Sequence, residues 1–160
     1  MLKRANAGQK LTAAEVKRLE ELAARLEAEL ASAAVAARTA AAANVGMSAG
    51  ELARLEAEEL VFSKLVRGQT VADVMFGLEK GKLTAGILKI NTPPGADAWN
   101  SVRAFLAFKN GSMELAQQLG ANTLRLEGNI VINPEIKELL LNRGFVEYSP
   151  NNFFLELPVP

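Results

Sequence analysis

The sequence predicts an α+β protein: a mainly antiparallel mixed sheet flanked by helices and preceded by an N-terminal helical hairpin or coil. Three stretches carry this expectation. Val16, Leu19, Ala23, Leu26, Leu30, Ala33 and Ala37 recur at alternating spacings of three and four, a heptad seam. Val71–Leu78 and Leu83–Ile90 are apolar, β-competent runs joined by a short turn at Glu79-Lys80-Gly81-Lys82. Thr123–Phe145 reads as strand, loop, short helix and a return to extended chain.

Taken in order, residues 1–10 are polar, and Thr12-Ala-Ala-Glu15 is a capping box that opens the first helix. From Ala31 to Ala43 the seam turns almost wholly to alanine, which favours helix but buries little area. A helix of ~30 residues would be about 45 Å long. Such a helix either folds back against the next one as a hairpin or serves as an arm for self-association or partner docking through residues 12–43. Ser48-Ala-Gly-Glu51 is a second capping box, and Leu52, Leu55, Leu60, Phe62 and Leu65 predict a helix over 49–66. Composition changes near Gly68, so the expected division is a helical arm over 1–67 and an α/β domain over 68–160.

Beyond the hairpin, Asn91-Thr92-Pro93-Pro94-Gly95 breaks the chain. A helical pattern over 97–119 follows, with Val102, Phe105, Leu106, Phe108, Leu115 and Leu119 inward. Asn110-Gly111 in its middle leaves room for two shorter elements, or for a strand through Val102–Phe108. Thr123–Glu127 alternates, with Leu124 and Leu126 on one face and Arg125 and Glu127 on the other. Asn133-Pro134-Glu135 opens the last helix as N-cap, first-turn proline and first-turn acid. Phe145–Tyr148, a Ser149–Asn152 turn and Phe153–Val159 form a closing hairpin in which Phe153 and Phe154 face opposite ways.

Composition narrows the chemistry. The chain has 160 residues, with 18 basic and 18 acidic side chains that cancel, so no field of one sign points to nucleic acid. It has no Cys and no His, which removes disulfides, thiolate nucleophiles, the Ser-His-Asp triad and nearly every zinc site. No metal site is expected. No apolar run reaches the roughly 20 residues that span a bilayer, and the basic start is followed by an amphipathic segment, not a secretory signal. The expected compartment is the cytoplasm, with signal-less secretion also compatible.

Asn133, Ile136, Leu139, Leu140, Gly144 and Phe145 fall at the spacing N-x-x-A-x-x-L-Y-x-x-x-G-F. That pattern resembles the late part of the GCN5-related N-acetyltransferase (GNAT) fold, with Leu140 where many members carry Tyr. The resemblance extends over about residues 70–158. It implies acyl transfer from acetyl-coenzyme A to an amine on a small molecule or a protein. It also implies a cofactor cleft where two central strands splay apart, with the pyrophosphate on backbone amides at a helix N-terminus. The corresponding loop is Thr92-Pro93-Pro94-Gly95-Ala96-Asp97, with one glycine, two prolines that lack an N–H, and an acid. Gly95, Ala96, Arg103 and Asn133 are then the cofactor-binding candidates, and Asn133 is equally explained as a helix cap.

Amine acylation needs a base for the ammonium proton and an acid for the leaving thiolate. Glu127, at the end of its strand, is the candidate base, where partial desolvation would raise its pKa. The plain alternative is a surface acid paired with Arg125 or a lysine. Tyr148, the chain's one phenol, is the candidate acid. Two other functions fit the same residues: a GNAT-like binding module without catalysis, and a toxin or effector domain of a secreted system.

Overall fold

The computed structural model describes residues 10–91, 98–129, 131 and 134–160, with the main chain alone for 98–101. The chain divides into two compact units, Met1–Ala36 and Ala37–Pro160. Helix α1, Ala13–Asn44, supplies the described structure of the first unit and leads into the second. The Glu15 amide donates to Thr12 Oγ1 at 3.2 Å, which caps its start. The apolar side chains Leu22, Leu26 and Leu30 are exposed.

The second unit continues with α2 (Ala49–Glu56), β1 (Val61–Arg67), β2 (Thr70–Glu79) and β3 (Lys82–Asn91). It ends with α3 (Ala98–Gln118), β4 (Thr123–Gly128), α4 (Pro134–Asn142), β5 (Val146–Ser149) and β6 (Asn152–Pro158). The second capping box forms in full: the Glu51 amide donates to Ser48 Oγ and the Ser48 amide to Glu51 Oε1, each at 3.1 Å.

One expectation is corrected. The helix read over 49–66 ends at Glu56, and Val61–Arg67 is a strand paired with β2. Leu52 and Leu55 point inward from α2, but Val61 and Leu65 are buried while Phe62 and Val66 are exposed. That alternation is a strand's, and the β-branched and aromatic residues there suit a pleated surface. Helical spacing and strand spacing coincide at a separation of four, so Leu65 fitted either reading.

The six strands lie in the order β1-β2-β3-β4-β6-β5. The β3–β4 pair is parallel, joined through α3, and the other four pairings are antiparallel. The expected mixed, mainly antiparallel sheet is therefore present. The β2–β3 turn is tight because Lys80 and Gly81 both adopt positive φ, 48° and 76°, as a two-residue hairpin turn requires. The pattern over 97–119 forms a single helix. Gly111 within it accommodates Val45: a Cβ there would lie 2.7 Å from Val45 Cγ1.

The core lies on one face of the sheet. Val74, Phe76, Leu83, Ala85, Leu124, Leu126 and Phe153 are buried there with Leu55, Phe108, Leu115 and Leu140 from the helices. Phe76 meets Phe108 with ring centroids 5.7 Å apart. The opposite face keeps its polar residues, and the candidate site lies on it.

Candidate active site

Period-two alternation on β4 sends Leu124 and Leu126 into the core at 0% and 1% exposure, so Arg125 and Glu127 stand together on the other face. Register supplies their neighbours. Thr84 on β3 lies opposite Arg125 and Gly86 opposite Glu127. On β6, Glu156 lies opposite Arg125 and Phe154 opposite Glu127. Phe154 in turn lies opposite Val146 on β5, which brings Tyr148 to the same face, its ring 5.7 Å from that of Phe154. Phe153 is fully buried, as its opposite orientation demands.

Arg125 is the hub of this face. Its Nε donates to Glu127 Oε1 at 2.7 Å and its Nη1 to Glu156 Oε1 at 3.4 Å. The guanidinium lies 4.2 Å from the Phe154 ring centroid and 5.8 Å from that of Tyr148, within cation–π range. Lys82 Nζ reaches the same Glu156 oxygen at 2.8 Å. Partial burial disfavours the charge on Arg125, but the bonds to Glu127 and Glu156 outweigh it and hold the guanidinium above its ordinary pKa. The Lys82 hydrogen bond, assisted by Arg125, holds the exposed Glu156 carboxyl below its ordinary value.

Glu127 is therefore ion-paired with Arg125, the plain alternative that the sequence left open, and its side chain is 17% exposed. It also lines an open groove of about 800 Å³ with Thr84, Lys82, Met75, Leu60 and Glu59. Tyr148 is half exposed, and its hydroxyl donates to Asn129 Oδ1 at 3.3 Å. A carboxylate beside a groove and a phenol with a fixed acceptor thus share one face, with Arg125 and Phe154 between them.

Close to Glu127 the pairing of the parallel strands ends. Pairing of β3 with β4 runs from Lys82↔Thr123 to Ile87↔Gly128, and the Asn129 amide closes it on the Ile87 carbonyl at 3.0 Å. Strand β3 continues to Asn91, paired there with β2. Its register against β2 shifts there: Ile87 faces Val74 and Lys89 faces Asp73, so Leu88 is the extra residue of a bulge. Among the described residues no strand pairs with the β4-facing edge of Leu88–Asn91.

Of the sequence-predicted site residues, Glu127 and Tyr148 are brought to one face. Arg103 is exposed near the start of α3. Gly95, Ala96 and Asn133 lie outside the described residues. Leu140, at the position of the family's Tyr, is 1% exposed and belongs to the core. The sequence alone assigns no site role to Arg125 or Asn129. Alternation alone put Arg125 beside Glu127, whereas Phe154 and Asn129 depend on register. Among the described residues no cluster of acidic, His or Cys side chains is arranged to hold a metal, and no helix is long and apolar enough to cross a membrane.

No family model matches the chain, and no curated protein matches it. Several solved structures are similar to it in fold. Nourseothricin acetyltransferase is 19% identical, with 58% of this chain and 67% of that one covered and a TM-score of 0.33. The ribosomal-protein-S18-alanine N-acetyltransferase from Escherichia coli is 20% identical, with 70% and 77% covered and a TM-score of 0.39. An acetyltransferase from Bacillus cereus is 12% identical, with 94% and 95% covered and a TM-score of 0.37. All three are acetyltransferases, and the likeness is a partial one of fold.

Proposed function

We propose that the unit Ala37–Pro160 transfers an acyl group from acyl-coenzyme A to an amine, with Glu127 as base and Tyr148 as acid. The observation that carries this reading is that Glu127 lies close to where β3–β4 pairing ends, so that among the described residues no strand pairs with the β4-facing edge of Leu88–Asn91. The residues present fit such a group. The free edge of Leu88–Asn91 offers main-chain N–H and C=O groups at strand spacing, which suits an extended arm containing amides. Helix α3 begins shortly after that edge, and its N-terminus together with Arg103 suits phosphate.

When bound, acyl-coenzyme A supplies the acyl group as a thioester with a thiolate leaving group. Glu127, on the groove wall, takes the proton of the incoming ammonium. Arg125 holds Oε1 and so fixes the carboxylate's orientation. The Tyr148 hydroxyl, which donates to Asn129, would supply the proton for the leaving thiolate and recover the nitrogen's second proton as the C–N bond forms and the C–S bond breaks.

Thermal unfolding in the presence of acetyl-coenzyme A tests this. A ligand at 100 times its Kd adds about 2.7 kcal/mol to stability, a shift of several degrees for a domain of this size. Glu127→Gln is expected to keep that shift and to lose at least about 10²-fold in transfer to an amine panel. An unchanged Tm at millimolar acetyl-coenzyme A removes the reading.

A second reading has its own support. Leu140 is core where the resembling family has its phenol, and Arg125 already occupies the candidate base. A fold that kept its architecture and became a binding module would have these features. It predicts no response to acetyl-coenzyme A and no effect of Glu127→Gln.

A further inference from the structure

The helix of the first compact unit carries an exposed apolar stripe. Leu26 is 58% exposed, Leu30 70% and Leu22 44%. Leu26 and Leu30 fall on the heptad seam with Leu19 and Ala23, and Leu22 adjoins the same stripe. The stripe's margins are acidic. Glu20 and Glu27 run along one side, while Glu15 and Glu29 flank Leu22 on the other. The basic residues Lys17, Arg18 and Arg25 fall on the far side of the helix, away from the seam.

This segregation of charge decides between occupants. In a coiled coil the residues flanking the seam meet those of the partner. In a parallel second copy, Glu15 would face Glu20 of its twin, and Leu22 would face Glu27. An antiparallel copy would bring acids of the same margin together. In neither orientation does a lysine or arginine cross the interface, so a second copy meets like charge and gains no pair. Alanines at 23 and 33 leave shallow holes that accept larger side chains from a partner. We infer that α1 is a docking helix for an amphipathic helix of a different protein, one with leucine or isoleucine on its seam and lysine or arginine along both margins.

The test mixes the full chain with two synthetic peptides. One is residues 12–38 unaltered. The other carries Glu15→Lys, Glu20→Lys, Glu27→Lys and Glu29→Lys. The expected result, read by isothermal titration calorimetry, is one-to-one binding of the lysine peptide at least tenfold tighter than the unaltered one, weakened by 0.5 M salt as a charge-based match requires. Leu26→Asp with Leu30→Asp in the full chain abolishes that binding, and near-UV circular dichroism verifies that the sheet unit is still folded. Three results overturn the inference: equal or tighter binding of the unaltered peptide, which points to a second copy; no binding of either peptide; or binding unaffected by the two aspartates.

Discussion

At Glu156, one carboxylate oxygen receives both Lys82, at 2.8 Å, and Arg125, at 3.4 Å. Its pKa is lowered below the ordinary 4.5, first by the Lys82 hydrogen bond. A carboxyl whose folded value is depressed stabilises the fold above its unfolded value and loses that contribution as pH falls through the folded one. Comparing the Tm of wild type and Glu156→Gln across pH reads this out. The wild type is expected to be the more stable at pH 7, by a small margin because the group is exposed. The gap should close as pH drops below 4.5, and one that widens on acidification contradicts the assignment. That Arg125 and Glu127 share a face was legible from alternation along five residues of β4. That Glu156 and Phe154 join them was not, because the β4–β6 register is set by the packing of both strands on the core and not by either sequence alone.

Individual elements were legible where local chemistry alone fixes them. The Lys80-Gly81 turn, the Ser48–Glu51 capping box and the short helix opening at Pro134 each rest on a few adjacent residues. The apolar residues of β1 suit both periods, and its pairing with β2 is what makes it a strand. Gly111 looked like a break in α3 because the sequence does not show that Val45 packs against it. Leu140 on α4 offers a prediction at this scale. It is buried, its Cδ1 would lie 3.6 Å from a Cβ at Gly128, and its carbonyl accepts the Phe145 amide at 3.0 Å. Leu140→Tyr, which writes in the residue of the resembling family, forces a larger ring and a hydroxyl into that space. It is expected to cost about 1–3 kcal/mol in denaturant unfolding without increasing amine acylation. A variant as stable as wild type with faster transfer would show that α4 can turn this position toward the site.

At the scale of the molecule, the mixed sheet is legible because strands β2 to β6 announce themselves through alternation or an apolar run. The sheet's outer limit is not, since the spacing within Val61–Arg67 also suits a helix. That limit has a consequence. Strand β1 is the margin of the sheet, and Phe62 and Val66 on its outward face are 63% and 60% exposed, beside Leu60 at 56%. An edge strand with such a face is a template for pairing with other chains unless charge guards it. Here Lys64 alone stands between Phe62 and Val66, and it is drawn to Asp73 on β2 at 3.7 Å. Phe62→Lys places a second cation on the same face, where it removes exposed apolar area and adds repulsion between approaching edges. Static light scattering over a concentration series is expected to show weaker self-association than wild type. The unfolding free energy should change by no more than about 0.5 kcal/mol, as for a surface substitution that breaks no contact. Unchanged scattering would mean that twist and the single lysine already protect the edge. A large loss of stability would mean that Phe62, despite its exposure, braces β1 against Met75 on β2, its partner in register.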